Sequence, residues 1–288
     1  MCRLRRARTD IDLTRQKTSK VEASLGSKGV TRRGRTPDKR EKDLDSNCGF
    51  HNVMILFQQK RVTFLPEKPH IKGIINSIQF MPIALDLCFA TGGSDHAVIL
   101  WHEGDSENEW KPKAVHRNLH SAAVMGVAGL QQKKVVLSVG VDKRIIGFDL
   151  AADRAEFNHQ IETKCLSVLP NPSDFNLFMV QSGTPQKQLR LFDIRLRRTE
   201  LHSFGWKQER SESQSALINQ AWSPDGLLIS SGSADPVIHI FDIRYDTHNP
   251  SQSVQAHQKR VFKAAWHQSL PFLISISSDL NLGIHKIT

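Results

Sequence analysis

Residues 229–244 read Ile-Ser-Ser-Gly-Ser-Ala-Asp-Pro-Val-Ile-His-Ile-Phe-Asp-Ile-Arg. The stretch divides into an apolar-to-serine strand, a turn centred on Asp235-Pro236, and a second strand of alternating aliphatics that ends on Phe241. Asp235 stands six positions before Phe241, and the same interval separates Asp95 from Trp101, Asp142 from Phe148, Gln186 from Phe192 and Asp279 from His285. Successive turn residues are 47, 44, 49 and 44 positions apart. A period near 45 residues with one strand-turn-strand unit per period predicts an all-β repeat architecture, in which each unit is one antiparallel sheet stacked on the next.

Around each pair the apolar runs place further strands. The first unit is read as Arg61–Leu65, Asn76–Phe80, Leu87–Thr91 and Ala97–Trp101, and the second as Val124–Ala128, Val135–Val139 and Arg144–Phe148. The third uses Cys165–Leu169, Leu177–Gln181 and Gln188–Phe192, and the fourth Leu217–Trp222, Leu227–Ser231 and Val237–Phe241. The fifth uses Val261–Trp266, Phe272–Ile276 and Leu282–Ile287. The pattern resembles the WD-repeat β-propeller family, and the resemblance implies five recognisable blades of about four strands. Two arrangements fit five repeats: a small or imperfectly closed ring, or a shortened form of a seven-bladed one in which Val53–Phe57 is the remnant of a lost repeat. In either, Arg61–Leu65 is expected to pair with the last strand and remove its open edge.

The resemblance also implies a structural role for the His and Asp residues that recur at blade period. In such blades the turn Asp bonds a His from the preceding loop, the His bonds a Ser or Thr, and that hydroxyl bonds a Trp indole. His70, Asp95 and Trp101 are placed for this in the first repeat and His257 and Asp279 in the fifth, while either His116 or His120 could partner Asp142. Gln186 leaves the third repeat without the acceptor.

Charge is unevenly spread. The net charge is +10, and residues 1–45 carry fourteen Lys or Arg against seven Asp or Glu. Residues 1–48 hold few large apolar side chains and are expected to be a disordered basic tail, with 49–288 forming the propeller. Within the tail, Arg32-Arg33-Gly34-Arg35-Thr36-Pro37 resembles an AT-hook, so that Arg33, Gly34 and Arg35 are candidate minor-groove contacts; Thr36 interrupts the pattern. The same residues also read as a nuclear import signal. No apolar stretch is long enough to span a membrane and no secretory leader is recognised. The four cysteines are scattered, which suits a reducing compartment, the nucleus and also the cytoplasm. No catalytic, metal-binding or phosphate-binding motif is recognised, so the reading is a non-enzymatic protein without cofactor, metal or small-molecule substrate.

The box at 229–244 carries the functional resemblance. It is similar to the sixteen-residue box of WD-repeat substrate receptors of cullin-4 ubiquitin ligases: small residues first, Asp seventh, aliphatics tenth and twelfth, then aromatic, Asp, aliphatic, Arg. Phe192-Asp193-Ile194-Arg195 repeats the ending one blade earlier, with Gln186 in the seventh place. The resemblance implies that Asp242 and Arg244, with Asp193 and Arg195, meet the ligase adaptor, damage-specific DNA-binding protein 1. Two other expectations stand beside it: a chromatin- or nucleic-acid-associated scaffold that uses the tail, and a general assembly scaffold in RNA processing or trafficking.

Overall fold

The computed structural model describes residues 4–5, 65, 67–71, 73–81, 87–104, 109–196, 199–208 and 215–287. Among them are twenty strands, β1 to β20, arranged as five four-stranded antiparallel sheets. Blade 1 is β2 (Ile75–Phe80), β3 (Cys88–Gly93), β4 (Val98–Glu103) and β5 (Trp110–His116). Blade 2 is β6 (Val124–Leu130), β7 (Val135–Gly140), β8 (Arg144–Asp149) and β9 (Arg154–Gln160). Blade 3 is β10 (Cys165–Pro170), β11 (Leu177–Ser182), β12 (Leu189–Asp193) and β13 (Glu200–Phe204). Blade 4 is β14 (Gln220–Trp222), β15 (Leu228–Ser231), β16 (Val237–Asp242) and β17 (Gln252–Gln255). Blade 5 is β18 (Val261–Trp266), β19 (Phe272–Ser277) and β20 (Leu282–Ile287), with β1 (Leu4–Arg5) as its fourth strand. The fold is that of a WD-repeat β-propeller.

Blades 1 to 4 run from inner to outer strand in chain order, blade 5 takes its outer strand from β1, and neighbouring blades stack through their faces. β3, β7 and β12 are buried along their whole length, whereas β19 of blade 5 alternates buried and exposed residues. One apolar layer, Leu137, Val139 and Ile145 against Phe178, Val180 and Phe192, joins blades 2 and 3. Another, Met179, Leu189 and Leu191 against Ile229 and Phe241, joins blades 3 and 4. Leu273 of blade 5 closes on Ile238 and Ile240 of blade 4.

Two details differ from what the sequence implied. The outer edge of β20 pairs with Leu4–Arg5 in the register Leu4 to Ile287 and Arg5 to Lys286. Those two residues lie within the stretch read as a disordered tail, and they hold the edge position assigned to Arg61–Leu65; residues 61–64, like Val53–Phe57, lie outside the described residues. An unpaired strand edge takes whichever extended segment reaches it. The turn of the third repeat is also of a different kind. Lys187 N–H donates to Thr184 O across Pro185 and Gln186, and Gln186 has φ 64°. That is the pattern of a type II turn, with Pro setting its first central position. In blades 1, 2 and 5 the positive φ falls instead on the residue after the Asp, at His96, Lys143 and Leu280.

Candidate functional site

The recurring His and Asp residues are structural. In blade 1, His70 Nδ1 lies 2.9 Å from Asp95 Oδ1, its Nε2 lies 2.9 Å from Thr91 Oγ1, and Trp101 Nε1 donates to the same hydroxyl at 3.0 Å. In blade 2 it is His120 that meets Asp142, at 3.0 Å, and Ser138, at 2.9 Å. His116 sits at the end of β5 and approaches the same Ser138 hydroxyl at 3.3 Å. In blade 5, His257 links Asp279 at 3.1 Å to Ser275 at 2.8 Å, and His285 completes the chain at 2.9 Å. Each carboxylate tethers the loop before its blade as well: Ile71, Ser121 and Gln258 donate their backbone N–H groups at 2.9, 2.9 and 3.0 Å. Burial raises the Asp142 carboxyl, but the Ser121 N–H and the His120 ring outweigh it and hold the group below the usual carboxylate range. Burial also pushes His116 and His239 down to about 4. They are therefore neutral near pH 7, as buried imidazoles with hydroxyl partners should be.

Blades 3 and 4 replace this arrangement. In blade 3 the buried Arg190 pairs with Glu162 and, at 2.9 Å, with Glu200, and it also reaches Ser182 and Thr184. In blade 4 the side chain that arrives from the preceding loop is Trp206. Its Nε1 donates to Ser233 at 3.3 Å, and its ring lies 4.5 Å from that of His239. Among the described residues there is no group of three or more His, Cys, Asp or Glu that could hold a metal ion, and no helix long and apolar enough to cross a membrane.

The Asp-x-Arg endings lie on the opposite rim. Asp242 ends β16 and Asp193 ends β12, both with little exposure, and each carboxylate turns back to hold the Arg two residues on. Arg244 donates its backbone N–H to Asp242 at 3.0 Å, its Nε at 2.9 Å and Nη2 at 2.6 Å. Arg195 repeats the geometry on Asp193, at 2.8, 3.0 and 2.6 Å. This two-pronged grip fixes a planar cation in one orientation. The Arg hydrogen bonds hold both carboxyls below the usual range, so the pairs stay charged across ordinary pH. The Arg side chains themselves remain 63% and 54% exposed, so their outer edges face solvent.

The two anchors share one surface. The turns beneath them are joined by hydrogen bonds from Asn171 Nδ2 to Gly226 O, at 2.7 Å, and from Ser173 Oγ to Pro224 O, at 3.3 Å. The structure adds three residues that the sequence reading did not single out. Leu196 and Tyr245 each follow the anchoring Arg, and Phe175 sits on the turn before β11; all three are exposed. The Arg244 guanidinium lies 5.7 Å from the Tyr245 ring. The matching positions elsewhere lack the grip: after Phe148 the carboxylate of Asp149 instead takes the N–H groups of Ala151 and Ala152. The spacing Asp-x-Arg-apolar was the available signal for Leu196 and Tyr245, whereas Phe175 has none at the level of sequence. Arg33, Gly34 and Arg35 lie outside the described residues.

Exposed Arg and aromatic side chains set side by side are the composition that protein interfaces favour. Comparison with known proteins finds likeness to WD-repeat proteins. Residues 209–242 match the WD40 profile, described as WD domain, G-beta repeat. The chain is 29% identical over 118 residues to Protein HIR2 of Debaryomyces hansenii, covering 40% of this chain and 11% of that protein. It is 25% identical over 210 residues to the WD repeat-containing protein 91 homolog of Dictyostelium discoideum, covering 69% of this chain and 25% of that protein. The chain thus spans a quarter or less of the length of these relatives.

Proposed function

We propose that this chain is a non-enzymatic nuclear substrate receptor that docks the adaptor of a cullin-4 ubiquitin ligase through the rim bearing Arg195 and Arg244. The supporting observation is that two consecutive blades present the same Asp-held, outward-facing Arg followed by an exposed apolar side chain. Local surface ion pairs do not need such repetition, whereas a partner that bridges two blades does. The grip also reduces the entropy that each long side chain would lose on binding, which favours an anchor role.

The test is binding of purified adaptor to the full chain. Arg244→Ala is expected to raise the dissociation constant by about 30-fold, as for an interface anchor. Arg195→Ala should do less, because Arg244 has the additional ring of Tyr245 beside it. The double variant should lose binding and keep its melting temperature. Unchanged binding by the double variant, or no binding by the wild type, refutes the proposal and leaves the scaffold without this partner.

A further inference from the structure

Three Ser-Pro or Thr-Pro dipeptides occur in the chain: Thr36-Pro37, Thr184-Pro185 and Ser223-Pro224. Thr36 lies outside the described residues. Thr184 opens the type II turn of blade 3 and is half-buried, with Pro185, Gln186 and Lys187 exposed beyond it. The turn is closed by one backbone bond, from Lys187 N–H to Thr184 O at 3.3 Å. A surface turn held in this way opens locally at little cost. Ser223 is the opposite case. It is 4% exposed, and its hydroxyl donates to Asp225 and accepts from the Leu228 N–H.

The groups around the Thr184 hydroxyl are those that hold phosphate. Arg190 Nη2 donates to Thr184 Oγ1 at 3.1 Å, and Thr163 Oγ1 lies 2.7 Å away. The Lys164 side chain runs against Gly183, the residue before Thr184: a Cβ built there would lie 3.2 Å from both its Cγ and its Cε. Lys187 stands at the far end of the turn and, with Arg190, helps to hold the Glu162 carboxyl below its ordinary range. The countercharges are Glu162 and Glu200, both paired with Arg190. Arg190 is buried and always charged, but the Glu162 side chain is 55% exposed and can leave it for water. Blades 1, 2 and 5 carry a carboxylate in this turn that tethers the preceding loop, whereas Gln186 leaves blade 3 without one. A phosphate on Thr184 would place an anion at that turn.

We infer that Thr184 is a phosphorylation site for a proline-directed protein kinase, and that its phosphate takes Arg190 Nη2 from Glu162. The reaction moves the γ-phosphoryl group of ATP. The bond from Thr184 Oγ1 to phosphorus forms, the bond from that phosphorus to the β–γ bridging oxygen breaks, ADP leaves, and the hydroxyl proton passes to solvent. The ester oxygen can still accept from Arg190 and Thr163. The group adds about −1.5 to −2 charges and three acceptor oxygens opposite an Arg, the arrangement in which phosphorylation orders a loop. A phosphate on Ser223 would instead face the Asp225 carboxylate and be repelled. This inference is independent of adaptor docking, because the Asp-x-Arg endings lie on the other rim.

The experiment treats the full folded chain with ATP and a proline-directed kinase that modifies a free peptide of residues 180–190, and maps phosphate by mass spectrometry. Thr184 is expected to carry it and Ser223 to stay bare. Thr184→Val and Pro185→Ala should each remove the site from the map. The phosphorus resonance is then followed against pH in the Thr36→Val chain, so that one group is read. A phosphothreonine in open chain takes up its last proton at about pH 6, and the cations here should bring that at least about 1 pH unit below its value in the same chain unfolded in urea. Lys164→Ala with Lys187→Ala, both at exposed positions, should return part of the difference without lowering the melting temperature. A folded chain left unmodified at Thr184 overturns the inference, and so does phosphate arriving as readily on Ser223. A phosphothreonine that titrates alike folded and in urea overturns it as well, because Arg190 would then not have received the phosphate.

Discussion

Replacing Asp142 by Ala tests whether the turn carboxylates hold the blades together. The Asp142 side chain is 3% exposed and accepts from His120 Nδ1 at 3.0 Å, Ser121 N at 2.9 Å and Arg144 N at 3.3 Å. The His120 ring is fully buried, so its N–H loses a charged acceptor with no water to replace it, at about 1.5–3 kcal/mol. The two backbone donors lie nearer solvent and forfeit about 0.5–1 kcal/mol each. The total is about 2.5–5 kcal/mol, which for a domain of this size lowers the melting temperature by roughly 5–20 °C. Asp142→Asn keeps one acceptor oxygen and should cost about half as much. Gln186→Ala is the internal control: by spacing it is the same position one blade on, but Gln186 is exposed and the turn there is held by Pro185, so the change should stay within about 0.5 kcal/mol. Urea denaturation of the three variants measures the differences. If Asp142→Ala falls within about 1 kcal/mol of Gln186→Ala, the carboxylate is not what fastens the loop before blade 2.

Three further outcomes follow from the same geometry. Gln186→Gly should raise stability by about 0.5–1 kcal/mol in urea melts, because the second central position of a type II turn needs the positive φ that Gln adopts at a cost. Acidification should destabilise the fold in two stages. His116 and His239 have folded values depressed to about 4, so the unfolded chain binds more protons below about pH 6.5, and their contribution is present above that pH and lost as pH falls to about 4. Asp95, Asp142 and Asp279 are depressed too, so their contribution is present above about pH 4 and lost only below it; the urea midpoint against pH reads both stages, with a shallower upper stage in His116→Phe. Gly147→Ala would drive a Cβ into the Phe157 ring and should cost about 1–3 kcal/mol by thermal melting, as overpacking does.

What the sequence disclosed of the fold follows from where burial is two-sided. Middle strands such as β7 are covered on both faces, so Val135–Val139, apolar but for Ser138, stands out. The outer strands cover one edge only. Trp110–His116 carries Lys111 and Lys113, Arg154–Gln160 alternates charge with a single buried Phe157, and Gln252–Gln255 has no fully buried residue. Nothing in such segments separates a half-exposed strand from a polar loop, and none of the four outer strands was placed. The choice between His116 and His120 was equally beyond spacing, since both precede Asp142 closely. Chain direction decides it: His116 is still in β5 and arrives from the outer strand, while His120 is in the loop and reaches the turn.

The candidate site was legible for a different reason. An Asp that holds the backbone N–H and the side chain of a residue two positions on is a local motif, so it forms wherever a strand ends in Asp-x-Arg and needs no tertiary partner to assemble it. Asp193 with Arg195 and Asp242 with Arg244 adopt one geometry although their blades differ in turn type and in the buried network, and so the Gln186 departure does not propagate to the opposite rim. What surrounds the anchors is set by tertiary structure. Phe175 reaches the rim because the turn after β10 is pinned to the turn after β14 through Asn171 and Gly226, 55 residues apart.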